Sequence, residues 1–544
     1  MMYHAQAQDI GAIADKKAFD ISGRFSLSTN FYGTSKEINN RAPFSYVISG
    51  SPTISIYGVS IPLTLTYSNQ QLTYAKPFQR YGASPYYKWV KVHLGYRNMN
   101  FSPYSITGQT FLGAGVELTP GKFRLSAFYG TLENIYALQD SATLGSIQVE
   151  TYKRRGYGVK AGFEGKKVGF DISLLKVIDK RESSEVRLAD NARLTPQDNI
   201  VISPSVRFTL FKKLAIQSTV AASVLTRNQL ASSGLVDNTI IERFSSILTV
   251  NQSTKLALAG DASVKLNFSN ASIGLKYKKI EPLYQSLGLH GIANDFENYT
   301  VSGSINLFKK LLRLRASKGF QRNNLSDLRK ITSLRKIGSF NASMALQNGF
   351  SINAQYSNFQ SDQEAGYIEL DDSIRLALVN KSASISPSYR WKNNGLRHSV
   401  SLSASTQDFT DLNPRKGLAL ENRSTTSSLN YRLRVKPSSL SLRIGINYSA
   451  YGSNAQLTKR SGVSISANKK FANKKLRLNI GISYKKSKVE EQNDGFVMKG
   501  RVGLNYNLNK KNAISIRASV TNRKSIIKEP FTDYRGRFSY SFKF

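Results

Sequence analysis

From Leu112 to Phe544 the chain repeats one unit: an alternating apolar strand, a short turn, and a second alternating strand. Leu112, Ala114, Val116 and Leu118 lead to Pro120-Gly121, and Phe123, Leu125, Ala127 and Tyr129 lead away. Tyr157 to Phe163 turns at Gly165-Lys166-Lys167 into Val168, Phe170, Ile172 and Leu174. Phe340 to Leu346 turns at Asn348-Gly349, a strong hairpin signal, into Phe350, Ile352 and Ala354. The same figure recurs through Leu429–Val435 and Leu440–Tyr448, Val463–Phe471 and Leu476–Tyr484, and Met498–Leu508 and Ile514–Val520. Strand side chains alternate between two faces, so every strand here has one apolar and one polar face. Longer polar segments, such as Arg181–Asp198, Arg227–Lys255, Lys279–Asn298 and Ser357–Asn380, separate the hairpins. A strict alternation of short and long connections is expected of a membrane barrel with periplasmic turns and extracellular loops. A soluble sandwich would mix connection lengths.

The ending sharpens this reading. In Tyr534-Arg-Gly-Arg-Phe-Ser-Tyr-Ser-Phe-Lys-Phe544, aromatic residues and Gly536 share one face, and Arg535, Arg537, Ser539, Ser541 and Lys543 share the other. A bare aromatic edge invites aggregation in water. In a barrel that strand closes the sheet against the first one, with its aromatics toward lipid. The segment resembles the C-terminal assembly signal of bacterial outer-membrane β-barrels, with Tyr540, Phe542 and Phe544 as its signal residues. The resemblance implies handling by the barrel assembly machinery and residence in the outer membrane of a Gram-negative bacterium, among outer-membrane lipids that include lipopolysaccharide. The Tyr- and Asn-rich, cysteine-free style is similar to that of the Bacteroidota.

The expected fold is therefore all-β: a transmembrane antiparallel up-and-down β-barrel of about 24–26 strands, because bacterial single-chain barrels have even parity. The barrel is expected over residues 19–544, behind a tail of residues 1–18. Residues before Leu112 are less regular. Phe19, Ile21, Phe25, Leu27 and Phe31 mark one strand, and the spacing breaks around Tyr81–Tyr87 and Ser102–Tyr104. Ala5-Gln6-Ala7-Gln8 has the form of a signal-peptide cleavage site whose upstream part is missing. No stretch approaches the ~18 consecutive apolar residues of a membrane helix. The average hydropathy is that of a soluble chain, as expected when a polar lumen cancels an apolar exterior. Cysteine is absent, which excludes disulfides and thiolate metal sites.

Lys and Arg number 76 against 35 Asp and Glu, a net charge of +41. Nucleic acid is not the expected partner, because the basic residues are scattered along strands and paired in turns rather than gathered in one patch. Lipopolysaccharide phosphates, an acidic cargo or an acidic partner fit that scatter better. Two groupings stand out. Arg313, Arg315, Arg432, Arg434, Arg443, Arg477, Arg501 and Arg517 fall on the polar phase of their strands near short turns, and are expected to form a basic belt in the lumen. Such rings favour anions, although charged lumen residues are also ordinary in barrels. Lys212-Lys213, Lys309-Lys310, Lys474-Lys475 and Lys510-Lys511 occupy short turns. They read either as plain turn chemistry or as a docking surface for an acidic periplasmic protein.

Enzymatic parts are sparse, and no catalytic residues are assigned. The histidines are His4, His93, His290 and His398. His398-Ser399 lacks a strand-paired acid, and a hydrolase needs nucleophile, base and orienting carboxylate. Glu369, Asp371 and Asp372 lack a glycine-turn calcium loop, and no nucleotide or zinc-protease motif is present. No cofactor and no metal are expected. TonB-dependent receptors reach this size but carry a large plug before the first strand, and here the first strand is expected near Phe19. A barrel this wide without such a plug needs inward-folded loops or a plugging partner. The resulting expectation is a channel or transport conduit working with plugging or cargo-delivering partners. The alternatives are a non-conducting scaffold that anchors envelope proteins and, more remotely, a lipid hydrolase.

Overall fold

A computed structural model describes residues 18–37, 41–69, 80–133, 152–180, 195–233, 239–365, 377–412, 421–453, 456–471, 473, 475–527 and 529–544. The residue 1–17 tail, with its expected cleavage site, lies outside them, as do Glu369, Asp371, Asp372 and Lys474.

Every strand pairs antiparallel with its neighbours, and the sheet closes on itself. Three strands are interrupted in mid-course: Phe19–Ser22 with Arg24–Thr34, Phe44–Gly50 with Thr53–Ile56, and Arg80–Ala83 with Tyr86–Tyr87. Each counted once, they give a barrel of 26 strands. The first interruption needs its glycine. Gly23 has φ +150°, and a Cβ there would come within 2.6 Å of Pro52 Cα.

Closure is made by the terminal strand. Phe531–Lys543 pairs with Arg24–Thr34 in register Leu27 to Tyr540 and Phe25 to Phe542. Phe544 stacks on Phe25 at 5.7 Å between centroids. Gly23 N–H donates to Phe544 O, and Phe544 N–H donates to Gly23 O. The outer face is apolar and uncovered, with Ile446, Ile465, Ile482 and Val502 among its exposed side chains. The inner face carries Ser, Asn, Arg and Lys. An apolar belt outside a closed hydrogen-bonded sheet is what a hydrocarbon solvent demands, so the fold is that of an outer-membrane barrel.

Two expectations about loops are corrected. Ser357–Asn380 is mostly strand: Phe350–Ala365 and Ala377–Asn393 continue the ladder through Asp362 paired with Ala377. Both faces are polar there, so alternation vanishes while backbone pairing persists. The strict alternation of connection lengths also fails. Leu440–Ser453 and Gln456–Phe471 are two residues apart. Glu490 and Glu491 alone join Leu476–Val489 to Gln492–Asn507, both in left-handed conformation.

A bore of 26 strands about 4.8 Å apart and tilted about 40° is on the order of 25 Å in radius. Part of it is filled by the chain itself. The segment 99–109 and the segment 281–295 both fold inward against the lumen face. Met99, Tyr104, Ile106, Tyr284 and Leu287 pack on Leu175, Val177, Val201, Ala221, Ala257 and Ala259 in one buried cluster. Tyr104 donates its hydroxyl to Asp261 Oδ1 at 2.6 Å. Tyr284 donates to Tyr104 O at 2.7 Å, and Ser286 to Ser105 O at 2.5 Å. Leu287 N–H donates to Asn199 Oδ1, and Ser223 to Gln285 O. The break in spacing at Ser102–Tyr104 therefore marks an internal plug. A water-facing lumen would not carry Leu175 and Val177, fully buried here, on its polar phase.

A basic lumen wall as the candidate functional site

The strands opposite the inward-folded segments bound a cavity of about 1720 Å3. Six of the eight expected belt residues line it: Arg432, Arg434, Arg443, Arg477, Arg501 and Arg517. Arg315 lies elsewhere, in a neighbouring space of about 890 Å3 walled mainly by Ser, Thr, Asn and Gln. Arg313 faces neither of these spaces. The belt is thus an arc on one side rather than a ring, because Arg313 and Arg315 stand on the strand Leu312–Asn323, distant around the barrel.

The sequence reading missed further members. Arg397, Lys470, Lys499, Arg535 and Arg537 line the same cavity, and Arg390 and Lys392 join Arg397 around an adjoining space of about 830 Å3. Their signal was available: each falls on the polar phase of its strand, the criterion that selected the others. Among the described residues lining the main cavity there is no Asp or Glu.

The register shows how costly this arrangement is. Arg432 lies directly opposite Arg443, Arg434 opposite Arg397, Arg397 opposite Lys392, Lys470 opposite Arg477, and Arg517 opposite Arg537. Like charges facing across a sheet repel. Hydrogen bonds hold some of the heads: Arg443 donates from Nε and Nη2 to Asn430 Oδ1 at 3.1 and 2.8 Å, and Arg537 Nε donates to Asn30 Oδ1 at 2.7 Å. Arg535 meets Asp533 at 3.1 Å. Arg397 Nε is buried with no hydrogen-bond partner, which leaves a donor unused at the wall shared by two cavities.

The lysine turns lie at the end nearest this wall. Arg434 is two residues from Lys436, and Arg477 two residues from Lys475, at the rim that also carries Lys212-Lys213, Lys309-Lys310 and Lys510-Lys511. Phe211 and Lys212, and Phe308, Lys309 and Lys310, adopt positive φ. Phe211 and Phe308 stand out into solvent beside them.

The histidines divide. His398 is outside the lumen, stacked on Trp391 at 4.9 Å between centroids, with Nδ1 2.8 Å from the Tyr431 hydroxyl. It belongs to an aromatic girdle. His93 is buried on the lumen face, with Nδ1 3.1 Å from Ser84 Oγ and Nε2 3.1 Å from Glu117 Oε1. That order, hydroxyl to imidazole to carboxylate, is shared with hydrolases. However, the Ser84 N–H that could serve as an oxyanion donor is spent on Pro62 O at 2.9 Å. The contact is read as a structural brace.

No family model matches the chain. No curated protein matches it either. Solved structures do. The translocation pore of the P pilus usher PapC aligns over 96% of this chain and 98% of its own at 10% identity and a TM-score of 0.37. FpvA of P. aeruginosa bound to heterologous pyoverdines aligns over 96% of this chain and 72% of its own, at 11% identity and 0.38. OccK9 of Pseudomonas aeruginosa aligns over 72% of this chain and 98% of its own, at 12% identity and 0.31. These scores are low, and the fold stands on the strand pairing described above.

Proposed function

We propose that this protein is an outer-membrane conduit that draws anions through its lumen. One observation carries the reading: an arc of Arg and Lys faces open space on adjacent strands, in like-charged cross-strand pairs, with no carboxylate among the described lining residues. A sheet that only needed a wet lumen would be more stable with Ser or Asn at these sites. Unscreened cations aimed into a bore favour negative solutes. The lysine turns extend the same field to the mouth, where they would meet an acidic cargo or an acidic periplasmic partner. The inward segments narrow the bore, so a separate plugging protein is needed only for the space they leave. The terminal strand supports recognition by the barrel assembly machinery, and the composition supports a Bacteroidota source. Basic residues at the loop end would contact lipopolysaccharide phosphates.

The test is reversal potential in planar bilayers under a potassium chloride gradient. Chloride should be preferred over potassium, and the preference should fade as salt shortens the Debye length. R432Q/R434Q/R477Q/R517Q should lose most of it. A cation-selective pore, or one whose selectivity the variant leaves intact, would refute the assignment. Absence of conductance at any salt would put the anchoring scaffold ahead.

A further inference from the structure

We infer that the anion is a chain: a linear acidic polysaccharide, taken up by the basic wall from the end of the barrel that bears the short turns. This rests on the anion-conduit reading and adds the ligand class and the side of entry.

Length comes first. Every strand from Ala377–Asn393 to Phe531–Lys543 contributes at least one cation to the wall, from Lys392 at one end to Arg537 at the other. Eight strand spacings of about 4.8 Å make an arc of roughly 38 Å. A small anion reaches two or three of these side chains. The remainder would repel one another with nothing to neutralise them. A polymer with a charge every few ångströms engages the whole arc, and each contact releases bound counterions.

Chemistry comes second. The heads are mostly guanidinium, whose planar fork pairs two-pronged with a carboxylate. Beside the arc lies a wall of hydroxyls. Ser317 and Ser339 hydrogen-bond at 2.7 Å, Ser357 and Ser382 at 2.7 Å, and Ser405 and Thr426 at 2.7 Å, all on the lumen face. Such rungs exchange readily with sugar hydroxyls. Aromatic stacking platforms, which single-stranded nucleic acids use, are scarce: Phe31, Tyr32 and Phe44 are the aromatic residues among the described lining of the main cavity.

The side of entry follows from where charge sits. The short connections contain thirteen lysines and no Asp or Glu. The opposite rim is mixed: Asp295 is buried against Arg329, Asp327 pairs with Arg322, and Glu491 pairs with Lys459. A polyanion therefore meets unbroken positive charge at the short-turn mouth, next to the arginine arc, and a rim of paired charges at the other.

The probe is fluorescein-labelled oligogalacturonate of about 20 sugars, titrated with the full-length barrel in detergent and read by anisotropy. Binding should weaken at least tenfold between about 50 and 300 mM salt, as counterion release requires. R432Q/R434Q/R477Q/R517Q should weaken it at least tenfold at low salt. Monomeric galacturonate in large excess should not compete, and neutral dextran of equal length should not bind. Equal or tighter binding of polyglutamate or a single-stranded oligonucleotide would overturn the polysaccharide assignment. Because the chain lacks cysteine, single cysteines at Ser438 and Asp327 report the orientation of barrels in a bilayer. Oligogalacturonate should block current from the Ser438 side, and block from the Asp327 side alone, or equally from both, would overturn the entry side. A chloride-selective pore that ignores the oligosaccharide would sink this inference and leave the anion conduit standing. Loss of chloride preference and of binding together would remove both.

Discussion

If the arginine arc is kept for its ligand, removing it should make the empty barrel more stable. R432Q/R434Q/R477Q/R517Q relieves four facing pairs, against Arg443, Arg397, Lys470 and Arg537. The choice preserves the bonds of Arg443 to Asn430 and of Arg537 to Asn30. Two unit charges about 5 Å apart repel by about 0.8 kcal/mol in water, within the range of up to about 1 kcal/mol for facing sheet pairs. Four relieved pairs total about 1–4 kcal/mol, with the lower half of that range the better guide because the heads are wet and screened. Urea unfolding of the folded barrel in detergent, followed by emission of Trp89 and Trp391, measures it. The variant should be more stable at about 20 mM salt, and the gap should close towards 0.5 M. A variant that is no more stable than the parent at low salt would show that these pairs store no repulsion, and the argument from cost would fail.

Further outcomes follow from the same geometry. Ile480→Lys or Ile444→Lys, both on the exposed outer face, should cost about 2–4 kcal/mol at mid-membrane, whereas Asn479→Lys or Ser441→Lys on the cavity wall should cost at most about 1 kcal/mol, the repulsion that Ser441→Lys adds opposite Arg434. Equal penalties in urea unfolding would reject the register. Replacing Tyr540, Phe542 and Phe544 together with Ala should abolish the heat-modifiable folded band on a gel, because the seam to Arg24–Thr34 would be left with open backbone groups in hydrocarbon. A normal folded band would show that closure does not depend on these side chains. Tyr284→Phe removes the donor to Tyr104 O, in a group that burial holds well above the usual phenol range. It should loosen the inward segments by about 1–3 kcal/mol, seen as noisier or larger conductance steps, and unchanged steps would exclude those segments as a constriction.

How much of this was legible in the sequence depended on whether a residue's environment follows from its own strand. The hairpins from Leu112 onward were readable because lipid enforces alternation at every second position. The terminal seam was readable because Tyr540, Phe542 and Phe544 share a phase. The extended ends of Phe350–Ala365 and Ala377–Asn393 were not readable, since above the membrane both faces are polar and pairing leaves no mark. The arc was half legible. Phase placed Arg432 and Arg477 in the lumen, but only the closed sheet separates them from Arg313 and joins them to Arg397 and Arg535. The inward plug was hidden for a different reason. Leu175 and Val177 break the lumen's polar phase to receive Tyr104 and Tyr284 from segments remote in sequence.

The interrupted strand around Ser84-Pro85 has a consequence for where the wall yields. Arg80–Ala83 and Tyr86–Tyr87 offer their neighbours only a few paired positions on either side. The strands from Ala377 onward are paired along nearly their whole length. What the backbone omits, side chains supply. Ser84, His93 and Glu117 link three strands, and Arg97 reaches across to Ala83 O and Thr64. Local opening is least costly where few main-chain bonds must break. Amide exchange should therefore run fastest in this laced sector and slowest along the arginine-bearing staves. The molecule has a soft side and a stiff side, and the charged wall is mounted on the stiff one.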